Sequence, residues 1–590
     1  MIQPDVSVQD TQYDSAARIH IRQLHVGCSI VLVTIAILRA LLLRYNIFAD
    51  AISYLDMARA IAEGHTGAAI NSYWSPGYTT LLAVALWVFR PNAYWEAPLA
   101  HFVNVLIFMA ALGSFQLFWR EVRQVHRGFA QQGGVAISEN SFWMLGYSAF
   151  AIATLNVITM EWVNPDLLVG AFCSLAGWCA LRFRRSPNLG HALLLGIVLA
   201  AGYYSKAPFF PMGLVFIVCA CFGCSKPSRA EILFSGTAMI VFLLACAPYI
   251  TALSRAKGHF TFGESARLAQ AFYMNGVQYY IHWQGGPPGA GVPMHPTRKL
   301  NDFPAIYEFA AKGMGTYPPW YDPTYWYQGV TPHSNWKLQS KTFVANLTLT
   351  FRIIVESGAV ILAAVIVLAL LSGNRGQWAL RLLRLWFVWG PGAVALLMFA
   401  FIHVEPRFLG GWLILLFAGA ICASVQPRDN STGVAVGCVA LATVVMSAVG
   451  LLVQAREELW GSDSVAYRSS NCALIADSLL KDGLHPGDPV AVIGGPEGQG
   501  PYWAHLARLQ VVAEIPYSFW SPAVRPVLDF WESGPEQQQK ALGILEQTGA
   551  KAVIAGSPVR TQGAVPSNVS PQWRKIDGTW AYVYFFRGNP

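Results

Sequence analysis

Charged side chains are scarce in this chain of 590 residues. Asp, Glu, Lys and Arg together make up 12% of it, whereas ordinary soluble domains contain roughly a quarter charged residues. Hydrophobic residues make up 54%, and the mean hydropathy is +0.40. This composition excludes a cytosolic enzyme. The formal net charge of +8 comes from basic residues spread among short loops, a pattern that indicates membrane orientation rather than nucleic-acid binding.

Cysteine is rare outside the apolar runs. Of the ten cysteines, only Cys472 falls in the polar C-terminal part, and the others lie inside or at the ends of apolar runs. A disulfide framework is therefore not expected, and the closely spaced Cys219 and Cys221 fit helix packing better than a metal site. No small-residue cleavage site accompanies the first apolar run, which we interpret as a retained membrane anchor.

Long apolar runs dominate the sequence. A transmembrane helix needs about 20 apolar residues, and about eleven runs approach this length; they lie near residues 27–45, 98–118, 141–160, 166–182, 190–205, 208–223, 232–250, 350–371, 381–402, 409–425 and 433–453. We therefore expect an all-α polytopic membrane protein. A further run, residues 77–89, is too short to cross comfortably and follows Pro76, so we expect an interfacial helix there.

The basic residues predict the orientation of these helices. If residues 77–89 lie on the membrane surface, the basic loops all fall on one side, which is then cytoplasmic; they contain Arg120, Arg123, Arg127, Arg182, Arg184, Arg185, Lys226, Arg229, Arg375, Arg381, Arg384 and Arg428. The other side receives the loops 46–97 and 251–349 and everything from residue 455 onward. We expect a multi-pass protein of the cell (inner) membrane with an extracytoplasmic, or periplasmic, C-terminal domain.

The chain divides into three parts on this interpretation. Residues 1–26 form a cytoplasmic N-terminal segment, and residues 27–454 form the transmembrane domain. Residues 455–590 have the composition of a small soluble α/β domain, because short apolar strand-like runs alternate there with helix-like runs. About 135 residues suffice for one independent core.

Four polar islands interrupt the apolar sequence on the predicted outer side. Asp50 and Tyr54 follow the first span and, four residues apart, share a helix face; a solvated helix cap is the alternative for Asp50. Glu161 and Asp166 flank a tight turn between two spans. Carboxylates this close to hydrocarbon are costly unless they pair with a cation, a metal or a substrate, and Asp166 also suits a helix N-cap.

The other two islands carry the basic candidates. Lys206 places one ammonium at the same level, where lone lysines usually extend toward lipid headgroups. The turn that holds His403, Glu405 and Arg407 needs no charge merely to reverse direction. Arg407 is the best candidate for a phosphate ligand, because a guanidinium binds phosphate oxygens bidentately. An internal Glu405–Arg407 pair is the alternative.

The outer loop between residues 272 and 336 is rich in aromatic residues, among many Gly and Pro. Such rings can anchor a loop among lipid headgroups or offer flat faces to a sugar. We expect this loop to close over a bound substrate, with Trp326 and Tyr325 in contact with it. The aromatic residues include Tyr279, Tyr280, Trp283, Tyr317, Trp320, Tyr321, Tyr325, Trp326, Tyr327 and Trp336.

The order of these motifs resembles the GT-C fold glycosyltransferases that use polyprenyl-phosphate sugars, including protein-mannosyltransferase-like and aminoarabinose-transferase-like membrane enzymes. The resemblance covers much of residues 27–425, although Trp74-Ser75-Pro76 stands where family members commonly have His-Pro-Pro. It rests on Asp50-x-x-x-Tyr54, Trp74-Ser75-Pro76-Gly77-Tyr78, Asn164-Pro165-Asp166, Lys206 and Glu405-Pro406-Arg407-Phe408.

The resemblance implies a reaction at the outer membrane face. A sugar would move from its polyprenyl-phosphate donor to a lipid, glycan or protein acceptor with inversion, and Asp50 would be the general base. Arg407 and Lys206 would stabilise the phosphate. Asp166 and Glu161 would position Asp50, hold the acceptor, or bind a divalent cation such as Mg²⁺ or Mn²⁺ if one is used; no metal ligand is assigned.

Two other classes of function compete with a transferase. Polar residues within apolar segments also mark the pathway of a lipid or solute transporter, but no repeated half is visible. A non-catalytic receptor or assembly subunit would act through its soluble domain. A transferase requires Asp50, Asp166 and Arg407 to meet in one cavity, whereas a receptor does not.

Overall fold

The computed structural model describes most of the chain. The described ranges are residues 6–47, 49–132, 134–223, 227–277, 282–309, 314–460, 465–494, 501–516, 526–556, 572–579 and 581–586. For residues 6–20, 457–460, 465–470 and 526–528 it describes the backbone. Tyr279 and Tyr280 of the aromatic loop lie outside the described residues.

Two sets of helices form the apolar part of the protein. The first set precedes the long outer loop and consists of α1 (Val6–Leu42), α2 (Ala49–Ala62), α3 (Pro76–Phe89), α4 (Ala93–Gln131), α5 (Glu139–Ala151), α6 (Asp166–Arg185), α7 (Leu189–Ser205), α8 (Phe209–Phe222) and α9 (Arg229–Lys257). A π-helical turn, Ile152–Val157, continues α5. In the outer loop, α10 (Ser265–Asn275), α11 (Pro318–Tyr321) and α12 (Pro323–Trp326) are short. The second set is α13 (Trp336–Leu371), α14 (Arg375–Arg384), α15 (Trp386–Ile402), α16 (Pro406–Ala423) and α17 (Asn430–Trp460).

All eleven predicted spans coincide with helices, and the all-α membrane architecture is confirmed. Among the described residues, seven helical segments are long and apolar enough to cross a membrane: Ile21–Leu42, α4, α6, α9, α13, α16 and Asn430–Arg456. An eighth is the pair of α14 and α15, which is bent by 77°. The other three are shorter, because α5 gives way to the π-helical turn and the turn at residues 206–208, with its proline, separates α7 from α8.

Glycines allow α6 and α16 to approach each other closely. A Cβ added at Gly411 would lie 2.7 Å from the Cα of Gly170. Small residues are what permits such contacts between apolar helices. Because Asp166 begins α6 and Arg407 lies in the first turn of α16, this contact brings two charged residues of distant islands together.

Helix α3 corresponds to the predicted interfacial helix. Its first residue is Pro76, whose fixed φ suits that position, and its 14 residues extend about 21 Å, less than the ~30 Å hydrocarbon core. A Cβ at Gly77 would lie 2.7 Å from the carbonyl oxygen of Tyr204, so α3 begins against the end of α7. The Ser75 hydroxyl accepts a hydrogen bond from the Ala207 amide at 3.0 Å. Its place at the outer interface stays a prediction.

The C-terminal region forms the expected small α/β domain. Its elements are α18 (Val465–Lys481), β3 (Pro489–Ile493), α19 (Tyr502–Leu506), β4 (Gln510–Ile515), α20 (Pro526–Glu532), α21 (Pro535–Glu546), β5 (Ala552–Gly556), β6 (Arg574–Lys575) and β7 (Ala581–Phe585). Strand β3 pairs in parallel with both β4 and β5. Four of its five residues are buried, as expected for a parallel strand covered on both faces.

Two strands of the outer loop complete this sheet. The strands β1 (Arg298–Asp302) and β2 (Ala305–Glu308) form a hairpin, and β2 pairs antiparallel with β4, with Tyr307 opposite Glu514. The strand order is β1-β2-β4-β3-β5-β7-β6. The soluble domain therefore contains residues from outside the predicted range 455–590.

A buried polar network joins this domain to the membrane helices. Among the residues of α19, His505 is fully buried, with its Nδ1 2.8 Å from Asp56 Oδ1 and its Nε2 2.8 Å from Glu96 Oε2. Arg508 donates to Glu96 Oε1 at 2.7 Å. The amide of Thr316, in the outer loop, donates to Asp56 Oδ2 at 2.6 Å. Helices α2 and α4, the outer loop and the C-terminal domain thus meet at one point.

Candidate functional site

One cavity of about 1290 Å³ lies between the membrane helices and the soluble domain. Its walls come from three parts of the chain that are far apart in sequence. The helical part supplies Asp50, Tyr54, Asp166, Lys206, His403, Glu405 and Arg407; the outer loop supplies Tyr273, His282, Tyr317 and Trp320; and the C-terminal domain supplies Val492, Gly494, Trp503 and Glu514. All four predicted polar islands contribute to this cavity.

Arg407 is the centre of the charged cluster in the cavity. Its Nη2 lies 3.1 Å from Asp50 Oδ2, and its Nε lies 2.6 Å from Glu405 Oε2 and 3.8 Å from Asp166 Oδ2. The predicted Glu405–Arg407 pair therefore exists, but it is one part of a larger arrangement. Three carboxylates thus lie around the Nε and Nη2 atoms of Arg407. These two atoms form the edge of a guanidinium that binds a carboxylate or a phosphate bidentately.

Asp50 is held at the start of α2, where the helix dipole favours a carboxylate. Its Oδ1 accepts a hydrogen bond from the Trp320 indole at 3.1 Å. The Ser53 hydroxyl donates to the Trp320 carbonyl at 2.9 Å, which fixes the outer loop on the same helix. Tyr54 is buried one turn further on, where burial and then the Asp50 and Asp166 carboxylates raise the pKa of its phenol well above the ordinary value. The phenol therefore stays protonated.

Asp166 and Lys206 form the second pair of the cluster. Lys206 Nζ lies 2.5 Å from Asp166 Oδ1 and 4.0 Å from the centre of the Phe408 ring. Asp166 Oδ2 is buried and accepts no hydrogen bond from the described residues. The predicted N-cap role is modified, because Asp166 is the first residue of α6 rather than its cap.

The loop before α16 adds an imidazole and a further carboxylate. The His403 ring stacks on Tyr273 at 4.2 Å, and its Nε2 lies 3.2 Å from Glu405 Oε1. Burial raises the pKa of Glu405, but the His403 hydrogen bond and the Arg407 charge outweigh it and lower the pKa to about 2. Glu405 is therefore ionised at neutral pH.

Three of the predicted site residues do not line the cavity. Glu161 accepts a hydrogen bond from the Asn46 amide at 3.1 Å, behind the site. Trp326 is only 2% exposed, and its indole donates to the Pro318 carbonyl at 3.0 Å inside the outer loop. Tyr325 stacks on His295 at 4.2 Å. These residues support the loop or turn rather than the cavity wall.

A second polar cluster in the cavity was not predicted from the sequence. Glu514 of β4 accepts hydrogen bonds from the Tyr317 hydroxyl at 2.8 Å and 3.0 Å, and His282 Nε2 lies 2.6 Å from Glu514 Oε1. The sequence signal for Glu514 was an acid within an otherwise apolar strand. Such a residue is rarely buried without a partner.

The divalent cation stays a prediction. No group of three or more His, Cys, Asp or Glu side chains among the described residues is placed to hold a metal ion. Asp50, Asp166 and Glu405 already contact Arg407 or Lys206. A divalent ion would have to share these oxygens with two cationic side chains.

No protein-family model matches the chain, and no curated protein sequence matches it. Among solved structures, it is similar to the oligosaccharyltransferase of Archaeoglobus fulgidus tethered with an acceptor peptide, with 12% identity, a TM-score of 0.49, and coverage of 90% of this chain and 69% of the other. It is also similar to ArnT from Cupriavidus metallidurans bound to undecaprenyl phosphate, with 12% identity, a TM-score of 0.47, and coverage of 94% and 97%. Both belong to the GT-C group that the motifs resemble. At this identity and with TM-scores below 0.5, these likenesses assign the chain no substrate or activity.

Proposed function

We propose that this protein is a membrane glycosyltransferase that moves a sugar from a polyprenyl-phosphate donor to an acceptor hydroxyl, with inversion. The observation that carries the proposal is the meeting of Asp50, Asp166, Lys206 and Arg407 in one large cavity. These residues come from four turns or helix starts that are separated by apolar helices. A receptor or assembly subunit would not need this convergence.

Arg407 and Lys206 bind the phosphate of the sugar donor. Both cations lie beside the apolar ring of Phe408, and this pairing of charge with an apolar surface suits a phosphate that carries a hydrocarbon chain. When the sugar leaves, negative charge grows on the phosphate oxygen, and two fixed cations beside it stabilise that charge. The carboxylates of Asp50 and Asp166 contact the same two cations.

Asp50 is the general base. The acceptor oxygen attacks the anomeric carbon of the sugar, its proton passes to Asp50, and the bond from that carbon to the phosphate oxygen breaks with its electron pair on the polyprenyl phosphate. A single displacement of this kind inverts the configuration. The Trp320 indole, at 3.1 Å from the other Asp50 oxygen, orients the carboxylate toward the acceptor. Asp166 holds Lys206 and Arg407 in register, and no step is assigned to a metal ion.

The acceptor enters from the end of the cavity that the soluble domain forms. Glu514 and Tyr317 supply oxygen atoms there, and Trp503 and Trp320 supply apolar faces. This arrangement suits a ligand with hydroxyl groups on a flat ring. It assigns no particular lipid, glycan or protein.

The site faces the extracytoplasmic side of the cell (inner) membrane on this proposal. The basic residues lie near the ends of α4 and α6 that are remote from the cavity and in α14, and this distribution of positive charge supports the orientation. A fluorescent protein that matures only in the cytoplasm should stay dark when it is fused to the C-terminus. A bright fusion would reverse the orientation.

The direct test uses purified protein and isotopically labelled polyprenyl-phosphate sugars with a mixture of cell-envelope lipids and glycans. We expect label to leave the lipid fraction and appear in an acceptor fraction in wild type, and the loss to stop in Asp50→Asn. Glu63→Gln, which changes an exposed carboxylate just after α2, should behave as wild type. Unchanged lipid label with every sugar, together with lipid carried across the bilayer of vesicles, would favour the transporter instead.

A further inference from the structure

A second cluster of cations lies at the end of the protein opposite the cavity, and two of them, Arg123 and Arg381, form no ion pair with the described residues. Helix α16 begins in the cavity at Pro406 and has 18 residues, so its end is about 27 Å away along its axis. The segment that follows it, up to Gln426, meets the end of α4 and the short helix α14. A backbone bridge between Val135 and Gln426 and a hydrogen bond of 3.1 Å from the Trp378 indole to the Ser424 hydroxyl join these elements.

His126 of α4 links the segments of this region through hydrogen bonds. It is fully buried, its Nε2 accepts a hydrogen bond from the Ile137 amide at 3.0 Å, and its Nδ1 lies 2.8 Å from the Cys422 carbonyl oxygen. These two bonds require an acceptor at Nε2 and a proton at Nδ1, which is the neutral ring. Arg123 and Arg381 are close enough for their charges to act on this ring.

The guanidinium groups around His126 have unused hydrogen-bond donors. Arg123 is 7% exposed, and its Nε and Nη1 have no acceptor among the described residues; the same holds for Nη1 of Arg381 and Nε2 of Gln426. No described carboxylate forms an ion pair with Arg123 or Arg381, since Glu139 pairs with Arg127 at 2.8 Å. Burying a charge without a partner is unfavourable for the folded state. A bound anion would offset this cost at Arg123 and Arg381.

The neighbouring helix indicates where that anion comes from. Helix α14 has no buried residue and is bent by 77° from α15, so it runs across the end of the helices rather than along them. Its Leu380 and Leu383 side chains are exposed, with exposed fractions of 57% and 63%, and Arg381 lies between them in the sequence. A short helix with exposed leucines and arginines is typical of a segment that lies at the headgroup level of an anionic membrane surface.

We propose that Arg123, Arg381 and Gln426 form a binding site for the headgroup phosphate of an anionic phospholipid. The phosphate oxygens accept hydrogen bonds from the unused Nε and Nη1 donors of Arg123, because an anion is the natural partner of a guanidinium. Arg381 and Gln426 donate to the remaining oxygens. The leucines of α14 contact the acyl chains of the same lipid layer. The site is separate from the cavity and does not depend on the reaction proposed there.

Thermal unfolding of the full-length protein in a neutral detergent tests this site. We expect phosphatidylglycerol to raise the melting temperature more than phosphatidylcholine does, because a ligand that binds the folded state stabilises it. The difference should disappear in Arg123→Met and shrink in Arg381→Gln. Arg375→Gln, at an exposed position of the same helix, should keep it. If phosphatidylglycerol stabilised wild type and Arg123→Met equally, the proposal would be overturned.

Two further measurements distinguish a lipid site from a structural arginine and from a site for soluble phosphate. Without anionic lipid, Arg123→Met should unfold at the same or a higher temperature than wild type, since it removes an unpaired buried charge; a lower temperature would mean that Arg123 is a structural residue with partners inside the protein. Inorganic phosphate alone should not reproduce the lipid effect. If it did, and lipid added nothing, the site would bind a soluble phosphate and the headgroup assignment would be wrong. If Arg123→Met did not fold, the other two variants would test the proposal. The stabilisation by phosphatidylglycerol should be smaller in Arg381→Gln than in Arg375→Gln, and equal stabilisation would overturn the proposal.

Discussion

The Arg407 guanidinium lies 3.1 Å from the Asp50 carboxylate, although 357 positions separate the two residues in the chain. The contact places the candidate base and the candidate phosphate ligand side by side. A phosphate that binds Arg407 competes with Asp50 for the same N–H groups. Binding of the sugar donor is therefore expected to release one Asp50 oxygen toward the acceptor.

The first prediction concerns Asp50→Asn. The amide keeps the size of the side chain and can still accept from the Trp320 indole, but it cannot take a proton at neutral pH. Loss of a general base typically costs about a hundred- to ten-thousand-fold in rate, and we expect this loss in kcat with the affinity for polyprenyl phosphate retained. Glu161→Gln is the matched control, because Glu161 lies outside the cavity wall. Near-normal turnover in Asp50→Asn with none in Asp166→Asn would transfer the role of base to Asp166.

A second prediction separates charge from geometry at Arg407. Arg407→Lys keeps the positive charge next to Asp50 and Asp166 but loses the flat, bidentate guanidinium. Hydrogen bonds to charged groups contribute about 1.5–3 kcal/mol each, so the affinity for polyprenyl phosphate should fall by about tenfold or more while the protein still folds. Equilibrium binding of a radiolabelled polyprenyl phosphate measures this. An unchanged affinity would leave Lys206 as the phosphate ligand.

Glu405 leads to a prediction about pH. Its pKa of about 2 in the folded protein lies below the ordinary value of 4.5, so its ion pairs stabilise the fold fully above about pH 5 and the contribution is lost as the pH falls toward 2. The difference in melting temperature between wild type and Glu405→Gln should therefore be largest at pH 6 and should shrink at pH 3. Because Glu405 stays ionised between pH 5 and pH 9, its titration should add no inflection to the pH dependence of the reaction rate in this range. A difference that grew on acidification would contradict the lowered pKa.

The outer loop gives a paired prediction. Because Trp326 is buried inside the loop, Trp326→Ala should lower stability by about 3–5 kcal/mol rather than act on substrate binding alone. Trp320→Phe keeps an aromatic ring in the cavity wall but removes the N–H that contacts Asp50. It should fold normally and lower kcat. Circular dichroism melting curves and single-turnover rates of the two variants distinguish these effects. Unchanged kinetics in Trp320→Phe would mean that the outer loop does not orient Asp50.

His505 predicts how firmly the soluble domain is attached. His505→Ala leaves the buried carboxylates of Asp56 and Glu96 facing each other without the ring between them, and loss of one partner from a buried charged network typically costs about 3–5 kcal/mol. We expect a lower melting temperature and faster limited proteolysis of the C-terminal domain. His485→Ala, in an exposed turn, is the control. Equal proteolysis of the two variants would mean that the shared sheet alone holds the domain in place.

The sequence predicted the helices and the four polar islands because both are local features. An apolar run of sufficient length forms a helix between polar turns, and the turns on one side of a membrane must lie near one another, which is why Asp50, Asp166, Lys206 and Arg407 meet. The sequence could not distinguish Asp166 from Glu161, since five positions on a tight turn can point to opposite sides. It also could not choose Trp320 over Trp326, because rings in an irregular loop have no periodicity that reveals which of them is buried. Glu514 and His282 meet across 232 positions, and nothing local in either segment indicates the other.

The hairpin that completes the C-terminal sheet has a consequence for biosynthesis. Strand β2 leaves the ribosome about 200 residues before its partner β4. It must wait, with an unpaired edge, while four further candidate spans are made, counting the bent pair of α14 and α15 as one. Unpaired strand edges recruit other chains. A chain that stops after α17 would keep the edge of β2 unpaired permanently. Deletion of the soluble domain should therefore yield an aggregating product rather than a stable membrane domain. For the full-length chain, either a chaperone on that side of the membrane or rapid completion of synthesis would protect the edge until β4 is made.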